Sequence, residues 1–186
     1  HLDQIRLGLE AGVQVFTEKP VVVSIDETLE LARLLAQHGG AARAMVGLVL
    51  RYSQHMVDLR SAMTQGWLGE ITSLEANEHI GPYHGAFFMR DWRRKTGLAG
   101  GFMLEKCCHD LDVYNGLIGA RPERVESFGG HKTFVPANDP RNEGVNDLSL
   151  YHRKPSGWNG SDKVFESDGD IIDYQVAIIE YANGVG

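Results

Sequence analysis

Leu2, Ile5, Leu9 and Val13 recur at near-helical spacing, and Gly12 stands where a helix C′ residue belongs, so the chain opens on a predicted amphipathic helix. Residues 13–16 then predict a short strand, ended by Glu18-Lys19-Pro20. Ser24 and Asp26 offer N-caps for a second helix over about 27–37, with Leu31, Leu34 and Leu35 as its apolar stripe and Gly39-Gly40 as its stop. Residues 44–50 form another compact β-like run, which delivers Arg51-Tyr52 at its C-terminal end. Helix followed by buried strand is the order of an α/β unit with a parallel sheet.

The pattern changes after Arg51. A helix is predicted over about 54–65, closed by Gly66 and a turn at Gly69. Residues 71–80 alternate imperfectly, with Ile71, Ser73, Glu75 and Asn77 set against Thr72, Leu74, Ala76 and Glu78, and are read as a strand covered on one face. Gly100-Gly101 opens a strong helix to about residue 118, closed by Gly119, and residues 124–133 and 171–181 predict further strands. Residues 136–170, rich in Pro, Asn, Asp, Ser and Gly, read as one long loop, a surface insertion rather than a lid.

Composition narrows the class. With 42% apolar and 23% charged residues, the 186-residue chain has the makings of an ordinary core. No apolar run approaches the length needed to span a bilayer, and no signal segment opens the chain, so no membrane partner is expected. The formal net charge of −7 argues against a general nucleic-acid binder. Cys107 and Cys108 are adjacent and cannot staple a small secreted fold, which favours a cytoplasmic setting. The chain starts directly on a helix and stops just after a strand-like run, and it is read as an excerpt of a longer enzyme.

Two stretches carry candidate chemistry. Glu18-Lys19-Pro20 follows a parallel-type strand, and in open α/β sheets ligands bind at the carboxyl ends of strands. Pro20 biases Lys19 toward extended backbone and admits a cis bond. A lysine held in a partly dry cleft can polarise or help deprotonate a hydroxyl. In the second stretch, from Gly100 to Asp112, helical spacing puts Glu105, His109 and Asp112 at i, i+4 and i+7, along one face. An imidazole flanked by carboxylates one turn away handles protons, and the carboxylates would favour its charged form. The two glycines would let the backbone approach a ligand or a strand closely.

Glu-Lys-Pro after a strand, followed at Gly100 by Gly-Gly-x3-acid-x3-His-x2-Asp, resembles the Gfo/Idh/MocA oxidoreductase family. Arg51-Tyr52 and Asp91-Trp92-Arg93 look like that family too, and the resemblance covers nearly the whole chain. It implies an α/β fold: the second half of a Rossmann-type domain over residues 1–50, then an α/β domain with an open, mainly antiparallel sheet for substrate and oligomerisation over 51–186. It implies an NAD or NADP cofactor, hydride transfer to or from a sugar, polyol or related carbohydrate, and a homodimer or homotetramer formed through the C-terminal sheet. Lys19 would sit between nicotinamide and substrate, and His109 would be the acid/base on the substrate hydroxyl. Glu105 would stand where the family usually has Asp. Glu18 and Pro20 would line the nicotinamide-ribose side, while Arg51, Trp92 and Arg93 are further candidates for the cofactor or substrate edge. Asp112 and His84 complete the candidate substrate contacts. Lys19 and His109 would arrive from different domains, in a cleft between them.

The sequence also departs from the family. It contains no Gly-x-Gly-x-x-Gly, and the fingerprint is expected upstream of His1. Glu105 is one methylene longer than Asp, and Lys106-Cys107-Cys108 replaces smaller residues, which points to a distinct subfamily. Cys107, Cys108, His109 and Asp110 are metal-competent types, but four consecutive helical positions cannot converge on one ion, so no metal is expected. His79 and His84 flank Gly81-Pro82 as loop residues within possible reach of a polyol, and the Arg90, Arg93, Arg94, Lys95 cluster suits a phosphate or carboxylate better than a nucleic acid. The rival functions are a glycoside hydrolase of the same fold that recycles bound NAD, and a non-catalytic binding or regulatory relative.

Overall fold

A computed structural model of the chain describes residues 1–152 and 163–186. In chain order its elements are α1 (Leu2–Glu10), β1 (Val15–Thr17), α2 (Ile25–Gln37), β2 (Ala44–Val46), α3 (Gln54–Thr64), α4 (Pro82–Arg90), α5 (Thr96–Ala99), α6 (Cys108–Ile118), β3 (Pro122–Gly130), α7 (Ser149–His152) and β4 (Tyr174–Tyr181), with short 3-10 turns between several of them. They group into two compact units, His1–Gly69 with Leu104–Leu117, and Glu70–Met103 with Ile118–Gly186.

The first unit is built on the predicted periodicity. Ile5 and Leu9 of α1 bury against Leu34 of α2, with Leu2, Val15, Val21, Leu31 and Leu35 packed around them. Val13 does not extend the stripe: α1 ends at Glu10, and the side chain is 53% exposed. At the head of α2, Ser24 Oγ accepts the Glu27 N–H at 3.2 Å, so Ser24 is the cap and Asp26 lies in the first turn, where its charge complements the helix dipole. β1 and β2 pair in parallel, Val15 opposite Ala44, Phe16 opposite Met45 and Thr17 opposite Val46. α2 is the crossover that a parallel pair requires. β2 stops at Val46, short of the predicted residue 50, and Val49–Tyr52 form a 3-10 turn that carries Arg51.

The second unit departs more from the predicted elements. No strand forms over residues 71–80. Only Ile71, Leu74 and Ile80 are partly buried there, so burial does not alternate and no face selects a register. α4 was not predicted at all. Gly81 precedes Pro82 at the first helical position, and residues 85–90 are all buried. His84 is therefore a helix residue and not a loop residue. Ala86, Phe87, Phe88, Met89, Phe134, Val164, Phe165 and Ile171 form this unit's core. Gly85 admits the Phe134 ring, because a Cβ at that position would stand 2.8 Å from it.

β3 and β4 pair antiparallel, from Pro122 opposite Tyr181 to Gly130 opposite Tyr174, with a register shift between Pro122 and Arg124. Where one long loop was expected over 136–170, the described residues include 3-10 turns at Pro136–Asn138 and Pro140–Glu143 and the helix α7, while Val164 and Phe165 enter the core. Residues 153–162 of that stretch lie outside the described residues.

Candidate active site

The turn after β1 presents Glu18, Lys19 and Pro20, and the Lys19–Pro20 peptide is cis. Lys19 is half-buried, and its Nζ donates to the main-chain carbonyl of Glu105 at 2.6 Å. The two motifs that the sequence linked only by order are thus joined within the first compact unit. His109 lies in that unit as well, so Lys19 and His109 do not divide between the two compact units.

Glu105 sits in a π-turn, Met103–Cys107, that runs directly into α6. The predicted uniform α spacing through Glu105 and His109 is corrected on this point. A π-turn carries one residue more than an α-turn and loosens the i→i+4 ladder, a feature common at functional sites. Glu105 is 2% exposed, and the group it offers to Lys19 is its carbonyl oxygen. Gly100 and Gly101, with φ of +73° and +97°, precede the turn. A Cβ on Gly101 would meet nothing within 4 Å, so what that residue supplies is left-handed backbone, and not the close approach expected of it.

The expectation that carboxylates would favour a charged His109 is reversed. Burial pushes the His109 pKa below the usual 6.5, and the Lys19 and Lys106 charges push the same way, while Asp112 and Glu18 pull against them. His109 Nδ1 is buried and has no hydrogen-bond partner among the described residues. Both features favour the uncharged ring at neutral pH, and an uncharged ring keeps a lone pair that can take a proton. Burial likewise pushes the Cys108 thiol up, only partly offset by Lys19, so the group stays a thiol.

Asp112, one turn beyond His109, is held by Arg51. Arg51 Nε donates to Oδ2 at 2.7 Å, and Nη2 donates to Oδ1. The Asp112 side chain is 13% exposed. A cavity of about 510 Å³ opens beside Lys19, lined by Lys19, Pro20, Val21, Val22, Val23, Ser24, Ile25, Thr28, Val46, Leu48, Leu104 and Cys108. Its wall is mostly apolar, with the lysine among a few polar groups, which is the usual make-up of a small-molecule pocket. Sequence reasoning gave Val21, Val22, Leu104 and Cys108 no place in the site. The usable signals were the apolar run directly after Pro20 and the four-residue spacing of Leu104 and Cys108.

The remaining candidates belong to the second unit. His84 stacks on Phe88 with ring centroids 5.5 Å apart. The Arg93 guanidinium lies over the Trp92 ring at 4.2 Å and the Phe87 ring at 4.8 Å, and pairs with Asp91 at 3.5 Å. Arg94 and Lys95 both bind Asp168, whose carboxyl they hold down to a pKa of about 2. Among the described residues no group of three or more His, Cys, Asp or Glu is placed to hold a metal ion, and no helix is long and apolar enough to cross a membrane.

Comparison with known proteins finds matches along the chain. The model of the Gfo/Idh/MocA "oxidoreductase family, C-terminal alpha/beta domain" matches residues 60–186. The protein YteT of Bacillus subtilis is 28% identical over 139 residues, which is 75% of this chain and 32% of that protein. A D-xylose dehydrogenase of Paenarthrobacter nicotinovorans is 25% identical over 183 residues, 97% of this chain and 41% of that protein. The chain therefore spans well under half the length of either relative. Among solved structures, the Lactobacillus casei scyllo-inositol dehydrogenase with bound NAD(H) and scyllo-inositol superposes with a TM-score of 0.66 at 23% identity, covering 99% of this chain and 45% of that one.

Proposed function

The chain belongs to the Gfo/Idh/MocA oxidoreductase family, and from that premise we propose that the full-length protein moves hydride between NAD or NADP and a sugar, polyol or related carbohydrate, with Lys19 and His109 as its working pair. Residues 1–50 are read as the C-terminal half of the dinucleotide-binding domain and 51–186 as the substrate and oligomerisation domain. The observation that carries the reading is the junction of the two motifs: Lys19 is bound to the Glu105 carbonyl, four residues ahead of His109 on the same helical segment.

The residues present fit a nicotinamide. The cavity beside Lys19 has apolar walls suited to a flat ring, and Lys19, Pro20, Leu48 and Leu104 would hold it. When bound, that ring supplies the hydride acceptor or donor. The chain's own residues manage the proton. A Lys19 ammonium has three N–H donors, one of which goes to Glu105. Those left over can polarise the substrate hydroxyl and steady the negative charge that builds on its oxygen. His109 accepts that hydroxyl's proton on a ring nitrogen in the oxidative direction and returns it in the reductive one. Because the His109 pKa lies below its ordinary value, the basic form predominates at neutral pH, and oxidative kcat/KM rises with pH to a plateau whose midpoint lies below 6.5.

Two further features belong to the proposal. On the β3–β4 sheet, Phe128, Val176 and Ile178 are 72%, 62% and 68% exposed and share one face, a row suited to a second copy in a homodimer or homotetramer. Neither Cys107 nor Cys108 is in a disulfide, in keeping with a cytoplasmic enzyme.

The test uses the full-length protein. Nicotinamide absorbance is followed with NAD and with NADP across a panel of sugars and polyols, for the wild type, Lys19→Ala and His109→Ala. Turnover that falls by about 10²–10⁴-fold in each variant is the expected result. Activity that survives both substitutions overturns the site, and tight cofactor binding without net reduction on any substrate overturns the dehydrogenase reading.

A further inference from the structure

Asp112 is the carboxylate that follows His109 by three positions on α6, a spacing that makes neighbours on a helix face. A carboxylate there, left to itself, would hold a proton on the imidazole. In the structure both of its oxygens are engaged by Arg51, which comes from the 3-10 turn after β2, and the planar guanidinium fixes them in a two-pronged geometry. The other charges that act on His109 are Lys106 on its own helical segment and Glu18 and Lys19 on the turn after β1. The sequence suggested Arg51 as a cofactor contact and Asp112 as a substrate contact, but the structure binds them to each other.

We propose that Arg51 is a positioning residue of this site: by clamping Asp112 it holds that carboxylate off the imidazole of His109 and so keeps the ring uncharged and able to take a proton. The proposal rests on the reading of His109 as the acid/base group. In this role Arg51 acts through Asp112 and takes no part in the proton transfer itself.

The experiment is an NMR titration of full-length protein with labelled histidine, without substrate, in which the His109 signal is assigned by its loss in His109→Asn. In Arg51→Met the midpoint of His109 is expected to rise by about one pH unit, because the released carboxylate can turn to the ring. In the Asp112→Asn background, the same Arg51→Met change is expected to move the midpoint by no more than a few tenths. This comparison isolates the pair from the single charges. An unchanged midpoint in folded Arg51→Met overturns the proposal. So does an equal rise in both backgrounds, since Arg51 would then act by its own charge and not through Asp112. If Arg51→Met fails to fold, Arg51→Gln, which keeps one donor for the carboxylate, is put through the same comparison and decides in its place. Because no substrate is present, a protein that turns over no carbohydrate overturns the proposed function while the titration still decides the role of Arg51.

Discussion

The two compact units hold themselves together in different ways. In the first, a small aliphatic core of Ile5, Leu9 and Leu34 joins two helices whose apolar residues repeat at helical spacing, and the candidate chemistry is fixed by polar links, Lys19 to Glu105 and Arg51 to Asp112. In the second, the core is dominated by aromatic rings gathered from three distant stretches, around Phe88, Phe134 and Phe165. Phe88 packs edge-on to Phe87 at 5.4 Å and to Phe102 at 5.2 Å, and Phe134 meets Phe165 at 5.7 Å and Tyr151 at 6.4 Å. Local periodicity builds one region, and non-local ring packing builds the other. Sequence-distant contacts should therefore carry the larger single-residue energies, and local devices the smaller ones.

The strongest way to break this contrast is Phe88→Ala. Phe88 is 3% exposed and touches rings on both sides. Its removal leaves a cavity that the surrounding rings cannot close, and about 3–5 kcal/mol of stability should be lost, read from denaturant unfolding of the full-length protein. A loss under about 1 kcal/mol would show that the ring cluster is loosely packed and that the contrast is false.

The same contrast explains what the sequence could tell. α1, α2, β1, β2 and α3 were legible because each carries its own signal in a window of a dozen residues: a stripe such as Leu31, Leu34 and Leu35, a cap such as Ser24, a stop such as Gly12. β3 and β4 were legible for the same reason. α4 was hidden because its run Ala86-Phe87-Phe88-Met89 is buried all round and has no polar face to set a period, leaving Pro82 as its only mark. Residues 71–80 misled in the opposite sense, since a face on which Thr72 and Glu78 interrupt Leu74, Ala76 and Ile80 is a poor strand signal. At the site, residue types and their order pointed to Lys19 and His109 as a pair. That Lys19 would bind a carbonyl in a π-turn, and that His109 would be pushed toward its uncharged form, depends on burial and on charges from separate elements. No spacing encodes either one.

An intermediate case lies where a polar group secures the second unit. Just before β4, the Asp173 carboxylate accepts the N–H groups of Lys132, Thr133 and Phe134 at 2.8, 2.7 and 2.9 Å, and its side chain is 2% exposed. This cradle holds the turn that delivers Phe134 to the aromatic core. Asp173→Asn puts an NH₂ group against backbone donors and leaves at least one of them without its acceptor, so a loss of about 2 kcal/mol is expected in the same unfolding measurement. A neutral outcome would mean that the ring cluster alone positions the turn, which would sharpen the contrast further.

The smallest effect is expected from the most local device. Ser24 Oγ accepts the Glu27 N–H at 3.2 Å, and Glu27 reaches back so that its Oε2 accepts the Val23 N–H at 2.7 Å, a reciprocal pair at the head of α2. Ser24→Ala removes one half of that pair on an exposed turn, where water can take over much of the lost bond. The expected cost is about 1 kcal/mol, and Ser24→Gly should cost only a few tenths because glycine suits the same backbone. The two variants together are informative. If both cost about 1 kcal/mol, the cap matters through its oxygen. If alanine costs over 2 kcal/mol, the head of α2, whose residues Ile25 and Thr28 line the cavity beside Lys19, is held mainly by this one local contact and the first unit is less secure than its helical stripe suggests.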